Sequence, residues 1–86
     1  MNIKVLYFAS LREALGAGET VQVEAGATLA SLRDQLIARS PRHAEVLSRT
    51  RLVRCALGHQ LCDESSLIGD SSDGAEVAFF PPVTGG

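Results

Sequence analysis

The stretch from Thr20 to Ile37, TVQVEAGATLASLRDQLI, contains two different hydrophobic periods within an 86-residue chain. Its first part, Thr20 to Glu24, alternates between polar and apolar residues, which predicts a half-buried strand with Val21 and Val23 facing inward. From Thr28 onward the apolar residues recur at helical spacing. They form one stripe, made of Leu29, Leu32, Leu36 and Ile37. Thr28 is a favourable N-cap residue, so the sequence predicts that the helix begins there.

The remaining positions of this helix are mostly polar. Four of them are expected on or near its solvent side: Arg33, Asp34, Gln35 and Arg39. Ser40-Pro41 should end the helix, because a residue that precedes proline avoids the helical region. In so small a domain, we expect the apolar stripe to be the protein's own core rather than a site for a partner helix.

Further strands are predicted on both sides of this stretch. Asn2 to Phe8 is apolar on both faces, which is typical of a strand with neighbours on each side. Ser10 is expected to cap a short helix that runs through Leu15 and ends at Gly16. Leu52 to Leu57 is predicted to be a strand with Val53, Cys55 and Leu57 on one face.

The segments that complete the chain are shorter or more polar. His43 to Arg51 is expected to form an irregular turn or a short helix, and Gln60 to Cys62 a short extended segment. Asp63 to Gly74 has the composition of a loop, and Ala75 to Phe80 is the last predicted strand. The order of elements indicates an α+β fold with a mixed sheet of about five strands and one main helix on one face. The β-grasp is one of a few arrangements that fit.

Composition and charge limit the possible functions. The chain is 45% hydrophobic and 21% charged, which is typical of one small globular domain, predicted over residues 1–80. A chain of 86 residues needs its apolar residues to form one core, which leaves little room for an enclosed active site. This favours a carrier, a subunit or a binding module. The net charge is −2 and no basic run occurs, so we expect no nucleic-acid partner. No apolar stretch approaches the roughly 20 residues of a membrane span, and a cytoplasmic location is expected.

The two cysteines do not suggest a disulfide framework. Together with His59 they form the pattern Cys55-x3-His59-x2-Cys62, which is not a common zinc spacing and offers no nearby fourth ligand. Cysteine is also among the most commonly buried residues. We therefore expect packing or surface roles for both, no metal site and no cofactor bound by the chain itself.

The last six residues, Pro81-Pro82-Val83-Thr84-Gly85-Gly86, form an extended tail in this interpretation. The prolines cannot donate to a sheet and stiffen the exit, and six extended residues reach about 20 Å. Glycine lacks a Cβ, so its backbone can pass through a narrow channel into an activating pocket. A carboxylate must be activated before it reacts as an acyl donor, for example as an adenylate made with ATP. Gly86 would then be a substrate carried by the chain.

The C-terminal Gly-Gly on a β-grasp pattern resembles the ubiquitin-like family. More narrowly, residues 76–86, EVAFFPPVTGG, are similar to the small, sulfur-carrying subunits of molybdopterin synthase, the MoaD family. Residues 5–13, VLYFASLRE, resemble that family as well, and the helix at Thr28 and Leu29 falls where the family's helix does. The resemblance covers nearly the whole chain.

This resemblance implies a mechanism for the tail. An adenylating enzyme similar to ubiquitin-activating enzymes would use ATP to activate Gly86, and a sulfur donor protein would supply the sulfur of a Gly86 thiocarboxylate. The tail, with Val83, Thr84 and Gly85 in its passage, would insert into the large synthase subunit and donate sulfur to cyclic pyranopterin monophosphate. Two transfers build the dithiolene of molybdopterin. The family's synthase is a heterotetramer of two small and two large subunits, with the catalytic pocket expected in the large one, so the chain is no enzyme on its own.

Partner contact is expected where the tail leaves the domain, at Phe79, Phe80, Pro81 and Pro82. Strand alternation places the two phenylalanines on opposite faces, so one should belong to the core. The family's pattern favours Phe80 as the outward residue. Arg12 is expected either to pair across the interface or to remain a solvated helix charge.

Two other functions stay open on the sequence. A sulfur carrier for thiamine or tRNA thiolation would share Gly-Gly but not usually the Phe-Phe-Pro-Pro-Val stretch. A ubiquitin-like protein modifier would also use the tail. Lys4 is the sole lysine, which argues against chains of the protein on itself but not against attachment to other proteins.

Overall fold

The computed structural model describes residues 1–68 and 75–82. These residues form five strands and three helices. In chain order they are β1 (Asn2–Tyr7), α1 (Ala9–Leu15), β2 (Gly18–Gln22), α2 (Leu29–Ile37), α3 (Pro41–Leu47), β3 (Arg54–Leu57), β4 (Gln60–Cys62) and β5 (Glu76–Phe80).

The strands form one mixed sheet with the order β2-β1-β5-β3-β4. β1 runs antiparallel to β2 and parallel to β5, whereas β3 runs antiparallel to both β5 and β4. The first strand therefore has neighbours on both sides, as its apolar residues on both faces predicted. The sheet order and the helix on one face confirm the α+β, β-grasp prediction.

The core lies between the sheet and α2. The period-two pattern of β1 and the 3.6-residue pattern of α2 meet there, because each element presents one apolar side to the other. The side chains that are no more than 1% exposed include Ile3, Val5, Tyr7, Leu29, Leu32, Leu36, Val77 and Phe79. Val21 and Val23 are also buried, which confirms their inward assignment.

The start of α2 is fixed by reciprocal capping. The Thr28 hydroxyl accepts from the Ser31 amide at 3.0 Å, and the Ser31 hydroxyl accepts from the Thr28 amide at 2.9 Å. This pairing satisfies two amides that would lack partners at the first turn, and it confirms Thr28 as the N-cap. α2 ends at Ile37, and Ser40 caps α3. The segment from His43, predicted as an irregular turn or a short helix, is therefore part of a helix that begins earlier, at Pro41.

The capping role predicted for Ser10 is wrong. α1 begins at Ala9, and its N-cap residue, Phe8, makes no side-chain cap hydrogen bond. The reason lies in the sheet: the Phe8 amide donates to the Phe79 carbonyl at 3.2 Å, and the chain turns directly afterwards through a φ of 53° at Ala9. Ser10 is already helical when its hydroxyl would be needed as a cap.

The solvent position predicted for Arg33 is also wrong, since its side chain is buried. Its Nε donates to the Leu47 carbonyl at 2.7 Å, and its Nη2 donates to the carbonyls of Ser48 and Arg51 at 2.7 and 3.0 Å. Nη1 pairs with Glu64 at 2.6 Å. α3 and the turn after it cover this side of α2, and the guanidinium donates to carbonyls at the end of α3 and in that turn.

β3 begins at Arg54, two residues later than predicted, so Leu52 and Val53 lie before the strand. Leu52 is 81% exposed, whereas Cys55 is buried and Leu57 is half-buried on the inner face. A two-residue turn with φ of 57° at Gly58 and 70° at His59 leads to β4. Two successive positive φ values match the tight hairpin turn that fits the twist of antiparallel strands.

None of the helices formed by the described residues is long and apolar enough to cross a membrane.

Candidate functional site

The predicted reactive end of the chain is approached through β5. Gly86 and the passage residues Val83, Thr84 and Gly85 lie outside the described residues. β5 is an interior strand that pairs with β1 on one side and β3 on the other. The tail therefore follows an interior strand and leaves the sheet at the edge where β1 also ends. The residues next to this exit point on both faces of the sheet are among the described residues.

The sheet face opposite α2 carries a row of apolar side chains. The register places Leu6 opposite Ala78, Ala78 opposite Ala56, and Ala56 opposite Leu61. The two alanines are small and the flanking leucines are large, so the row forms a shallow groove of about 320 Å³. We call this the open-face groove; it is lined by Leu6, Phe8, Ala56, His59, Leu61, Glu76, Ala78 and Phe80.

Several groove residues present apolar surface to water. Phe8 is 44% exposed and Leu61 is 56% exposed, and Phe80 is half-buried. An apolar patch of this kind on a small domain is typical of a surface that binds a partner. The structure thus brings Phe80 together with two large residues that were not predicted as site residues.

Phe79 lies on the opposite side of the same strand. Its side chain has no exposed surface and belongs to the core. It cannot contact a partner without unfolding the sheet, which corrects its inclusion among the partner-binding residues. The alternation of the two phenylalanines is confirmed, and partner binding by Phe80 remains a prediction.

Phe8 and Phe80 flank the root of the tail. The hydrogen bond from the Phe8 amide to the Phe79 carbonyl extends the parallel pairing by one residue beyond β1, so Phe8 stays on the outer face. The apolar residues Leu6 and Phe8 were interpreted as a sign that the first strand has neighbours on each side, and Leu61 as part of a short extended segment. None of the three was therefore predicted to be a site residue. An interior strand with apolar residues on both faces can still have one face open to solvent.

Pro81 and Pro82 line a different surface. They belong to a second groove of about 310 Å³ with Ser10, Leu11, Val46, Arg51, Leu52 and Val53. The structure therefore separates the two prolines from the open-face groove that contains Phe80, although all three are neighbours in sequence. Arg12 lies on α1 with an exposed side chain and has no ion pair within residues 1–68 and 75–82.

The open-face groove has charged residues at the end away from the tail. Glu76 lies between two basic groups, with Lys4 Nζ at 3.9 Å and His59 Nε2 at 3.5 Å. Both basic side chains are largely exposed, so these pairs contribute little to stability. The groove therefore has an aromatic end beside the tail and a polar end that can set the orientation of a partner.

The Cys55-x3-His59-x2-Cys62 pattern does not converge on one point. The cysteines face the core side of the β3–β4 hairpin, whereas His59 is on the exposed turn beside the open-face groove. Within the part of the chain that the structure describes, no group of three or more His, Cys, Asp or Glu side chains is placed to hold a metal. Burial raises the pKa of the Cys55 thiol to about 11.

Comparisons with known proteins match this chain over its length. The ThiS family profile matches residues 5–86. The molybdopterin synthase sulfur carrier subunit of Escherichia coli (strain K12) is 42% identical over 84 residues, covering 98% of this chain and 99% of that protein. The Mycobacterium tuberculosis protein of the same name is 36% identical over 88 residues, covering 100% of this chain and 99% of that protein.

A solved structure shows the same fold at lower identity. It is the complex of subunits 1 and 2 of the molybdopterin-converting factor from Helicobacter pylori 26695. The matched chain superimposes with a TM-score of 0.66 at 22% identity, with 100% of both chains covered.

Proposed function

Because the chain belongs to the ThiS family, we propose that it is the sulfur-carrying small subunit of a molybdopterin synthase. The observation that carries this proposal is the full-length similarity to sulfur carrier subunits of that synthase, which extends through the Gly-Gly terminus. The structure supports it by placing an apolar groove beside the strand that leads into the tail. A carrier needs both a docking surface and a terminus that can enter another protein's pocket.

The proposed chemistry takes place at the carboxyl group of Gly86. A carboxylate oxygen attacks the α-phosphorus of ATP on an adenylating enzyme, and pyrophosphate leaves. The outer sulfur of a persulfide on a sulfur donor protein then attacks the carbonyl carbon, and AMP leaves, which gives an acyl disulfide. A second thiol attacks the donor's sulfur of that disulfide, so the thiocarboxylate leaves and a new disulfide remains on the donor side. ATP is a substrate of the activating enzyme, and we assign no nucleotide site to this chain.

The second half of the cycle occurs on the large subunit. The thiocarboxylate sulfur attacks a side-chain carbon of cyclic pyranopterin monophosphate, the oxygen substituent on that carbon leaves, and water then cleaves the acyl–sulfur bond. Sulfur stays on the pterin and the Gly86 carboxylate is regenerated. Two transfers complete the dithiolene. We place the catalytic pocket in the large subunit, the assembly as two small and two large subunits, and the reaction in the cytoplasm, where ATP is available.

The described geometry is consistent with insertion of the tail into a partner. β5 is held on both sides by hydrogen-bonded strands, so the exit point is rigid. From there the residues from Pro81 to Gly86 can reach about 20 Å. A partner seated on Phe8, Leu61 and Phe80 would hold its pocket at a fixed distance from the root of the tail, which positions the reacting atoms.

Reconstitution tests the proposal. The carrier is loaded with sulfur by the adenylating enzyme and mixed with large subunit and cyclic pyranopterin monophosphate, and molybdopterin is measured. One alanine added after Gly86 moves the carboxylate by about 3.5 Å and should abolish loading while the fold is retained. Gly86→Ala keeps the length and should lose less activity, because only a methyl group is added.

Three results would count against this function. Equal loading and donation by the extended protein would show that the terminal carboxyl is not the reactive group. A loaded carrier that supports thiamine or tRNA thiolation but yields no molybdopterin would assign it to another sulfur pathway. Attachment to protein lysines without sulfur transfer would instead indicate a modifier.

A further inference from the structure

The two cysteines face each other across the β3–β4 hairpin. Cys55 is paired directly with Cys62 in the antiparallel register, and the strands are joined by the tight turn at Gly58 and His59. Directly opposed residues of antiparallel strands have Cα atoms about 4.5 to 5.5 Å apart. A disulfide bridges Cα atoms about 4.4 to 6.8 Å apart. The backbone therefore already holds the two thiols at bridging distance.

The side chains also share one face of the hairpin. Cys55 is 2% exposed, whereas Cys62 is half-buried, and both border a cavity of about 420 Å³ that opens to solvent beside Arg33 and Arg49. Cys55 Sγ donates to the Cys62 carbonyl at 3.5 Å, and Cys62 Sγ donates to the Gln60 carbonyl at 3.2 Å. Each thiol hydrogen-bonds to a carbonyl of β4, so a disulfide requires rotation of both side chains and a small approach of the two strands.

We propose that Cys55 and Cys62 form a reversible redox pair that a hydroperoxide oxidises to an intramolecular disulfide. The Cys62 thiolate attacks the peroxide, which is reduced to water or an alcohol, and Cys62 becomes a sulfenic acid. The Cys55 sulfur then attacks the Cys62 sulfur, and the sulfenic oxygen leaves as water. A dithiol reductant reverses the bond by exchange and is itself oxidised to a disulfide.

The order of the two steps follows from access and ionisation. Both cysteines border the solvent-open cavity, but Cys55 is only 2% exposed whereas Cys62 is half-buried, so the peroxide reaches Cys62 first. Burial raises the pKa of Cys55, which keeps it a protonated thiol in ordinary buffers and protects it from direct oxidation. Cys55 is therefore the resolving thiol, and it acts only on a sulfur that is already adjacent.

Bond formation should change the open-face groove. The Cβ atoms of opposed residues lie about 4.5 to 5.5 Å apart, and a disulfide draws them to about 3.5 to 4.5 Å. The two strands of the hairpin are then drawn closer together at the cysteines. The adjacent pair, Ala56 and Leu61, lines the groove, so this movement changes the shape of the groove. This effect on partner binding rests on the proposed function, whereas formation of the disulfide does not.

Mass spectrometry tests the redox pair on the complete protein. After treatment with hydrogen peroxide and alkylation in denaturant, both thiols should be protected together in a monomer, and dithiothreitol should restore both. No lysine or arginine lies between the cysteines, so trypsin leaves them on one peptide, lighter by two hydrogens when bridged. Intermolecular dimers, or oxidised Cys62 beside a Cys55 that still alkylates, would overturn the proposal.

Single variants separate the two roles. Cys55→Ser should leave a sulfenic acid on Cys62 that dimedone labels, and Cys62→Ser should leave Cys55 reduced under the same peroxide treatment. Cys62 is the more exposed of the two, so Cys62→Ser keeps the test valid if the buried substitution impairs folding. Equal dimedone labelling of Cys55 in Cys62→Ser would contradict the assigned order.

A binding measurement then addresses the groove. The reduced protein should bind the large synthase subunit about tenfold more tightly than the disulfide form, a difference of about 1.4 kcal/mol. The Cys62→Ser protein should bind alike before and after peroxide. Equal affinities of the reduced and bridged forms would remove the effect on docking. If even the reduced protein does not bind, the proposed function fails while the redox pair stands on the mass data.

Discussion

The two faces of the sheet are built from the same strands but differ in what their apolar residues do. On the face toward α2, Val5, Val77 and Phe79 have no exposed surface. On the other face, Phe8 and Leu61 remain largely exposed around two alanines. Folding accounts for the first set, because burial of apolar surface stabilises the domain. It does not account for the second, whose apolar character the proposed docking of a partner would explain.

Phe79 and Phe80 make the comparison sharpest, since they are neighbours in one strand. One belongs to the core and the other to the open-face groove. Replacing each phenylalanine in turn by aspartate tests whether the two faces have separate roles. Stability should depend on the face toward α2, and partner binding should depend on the open-face groove.

The largest effect is expected for Phe79→Asp. An unpaired carboxylate in the core should lower the free energy of unfolding by about 5 kcal/mol or more, which is comparable to the whole stability of a small domain. Circular dichroism during urea unfolding would measure it, with Phe80→Asp as the matched control. A folded Phe79→Asp beside an unfolded Phe80→Asp would reverse the assignment of the two faces.

Arg33→Met should have the next largest effect, on stability alone. The substitution leaves three carbonyls of the Leu47–Arg51 turn without their donor, and Glu64 without its buried partner. We expect a loss of about 3 to 5 kcal/mol in urea unfolding. Arg49→Met is the control: its exposed ion pairs with Asp34 and Glu64 should contribute about 1 kcal/mol or less. Similar losses for the two variants would mean that burial of Arg33 is unimportant.

Phe80→Asp should affect binding instead of stability. A carboxylate placed in an apolar contact should weaken association with the large subunit by about 2 kcal/mol or more, roughly thirtyfold. Calorimetric titration would measure the affinity. Thr20→Asp adds the same charge outside the open-face groove and should bind normally. Confinement of partner binding to the open-face groove fails if both variants lose affinity equally.

The smallest effect concerns a polar cluster at the edge of the core. The Tyr7 hydroxyl donates to Glu19 at 2.6 Å, and His43 Nε2 and Arg39 Nε contact the same carboxylate at 2.8 and 3.2 Å. Burial opposes ionisation of Glu19, but the hydrogen bonds from Tyr7 and His43 and the nearby charges outweigh it and lower its pKa. Burial and the bond to Glu19 raise the pKa of Tyr7.

A pH series on Tyr7→Phe tests this cluster. Because the folded pKa of Glu19 lies below its ordinary value of 4.5, its stabilising contribution is present above that value and is lost as pH falls through the lower folded pKa. Tyr7→Phe should reduce stability at pH 7 by about 1 to 2 kcal/mol and flatten the acid loss. Urea unfolding from pH 7 to pH 3 measures this. If the free energy of unfolding falls as steeply with pH in Tyr7→Phe as in the parent protein, the contribution of the Tyr7–Glu19 hydrogen bond is contradicted.

Local patterns were sufficient for much of the architecture. The Thr28 cap, the leucine stripe of α2 and the inward Val21 and Val23 depend on spacing within a few residues, which the sequence shows directly. Opposite placement of Phe79 and Phe80 follows from the same period. Arg33 was misassigned because its burial depends on α3 and the turn after it, which are remote from the pattern of α2.

The sequence by itself determined which residues alternate and where the main helix begins, and it predicts activation at the carboxyl group of Gly86. These features depend on backbone geometry and residue chemistry over a few positions. The tertiary structure decided the composition of the open-face groove and the pairing of the two cysteines. Leu6 meets Ala78 from the opposite end of the chain only through the parallel pairing of β1 and β5. Such register is set by packing of the whole sheet, because a slip of one residue would move every side chain to the other face.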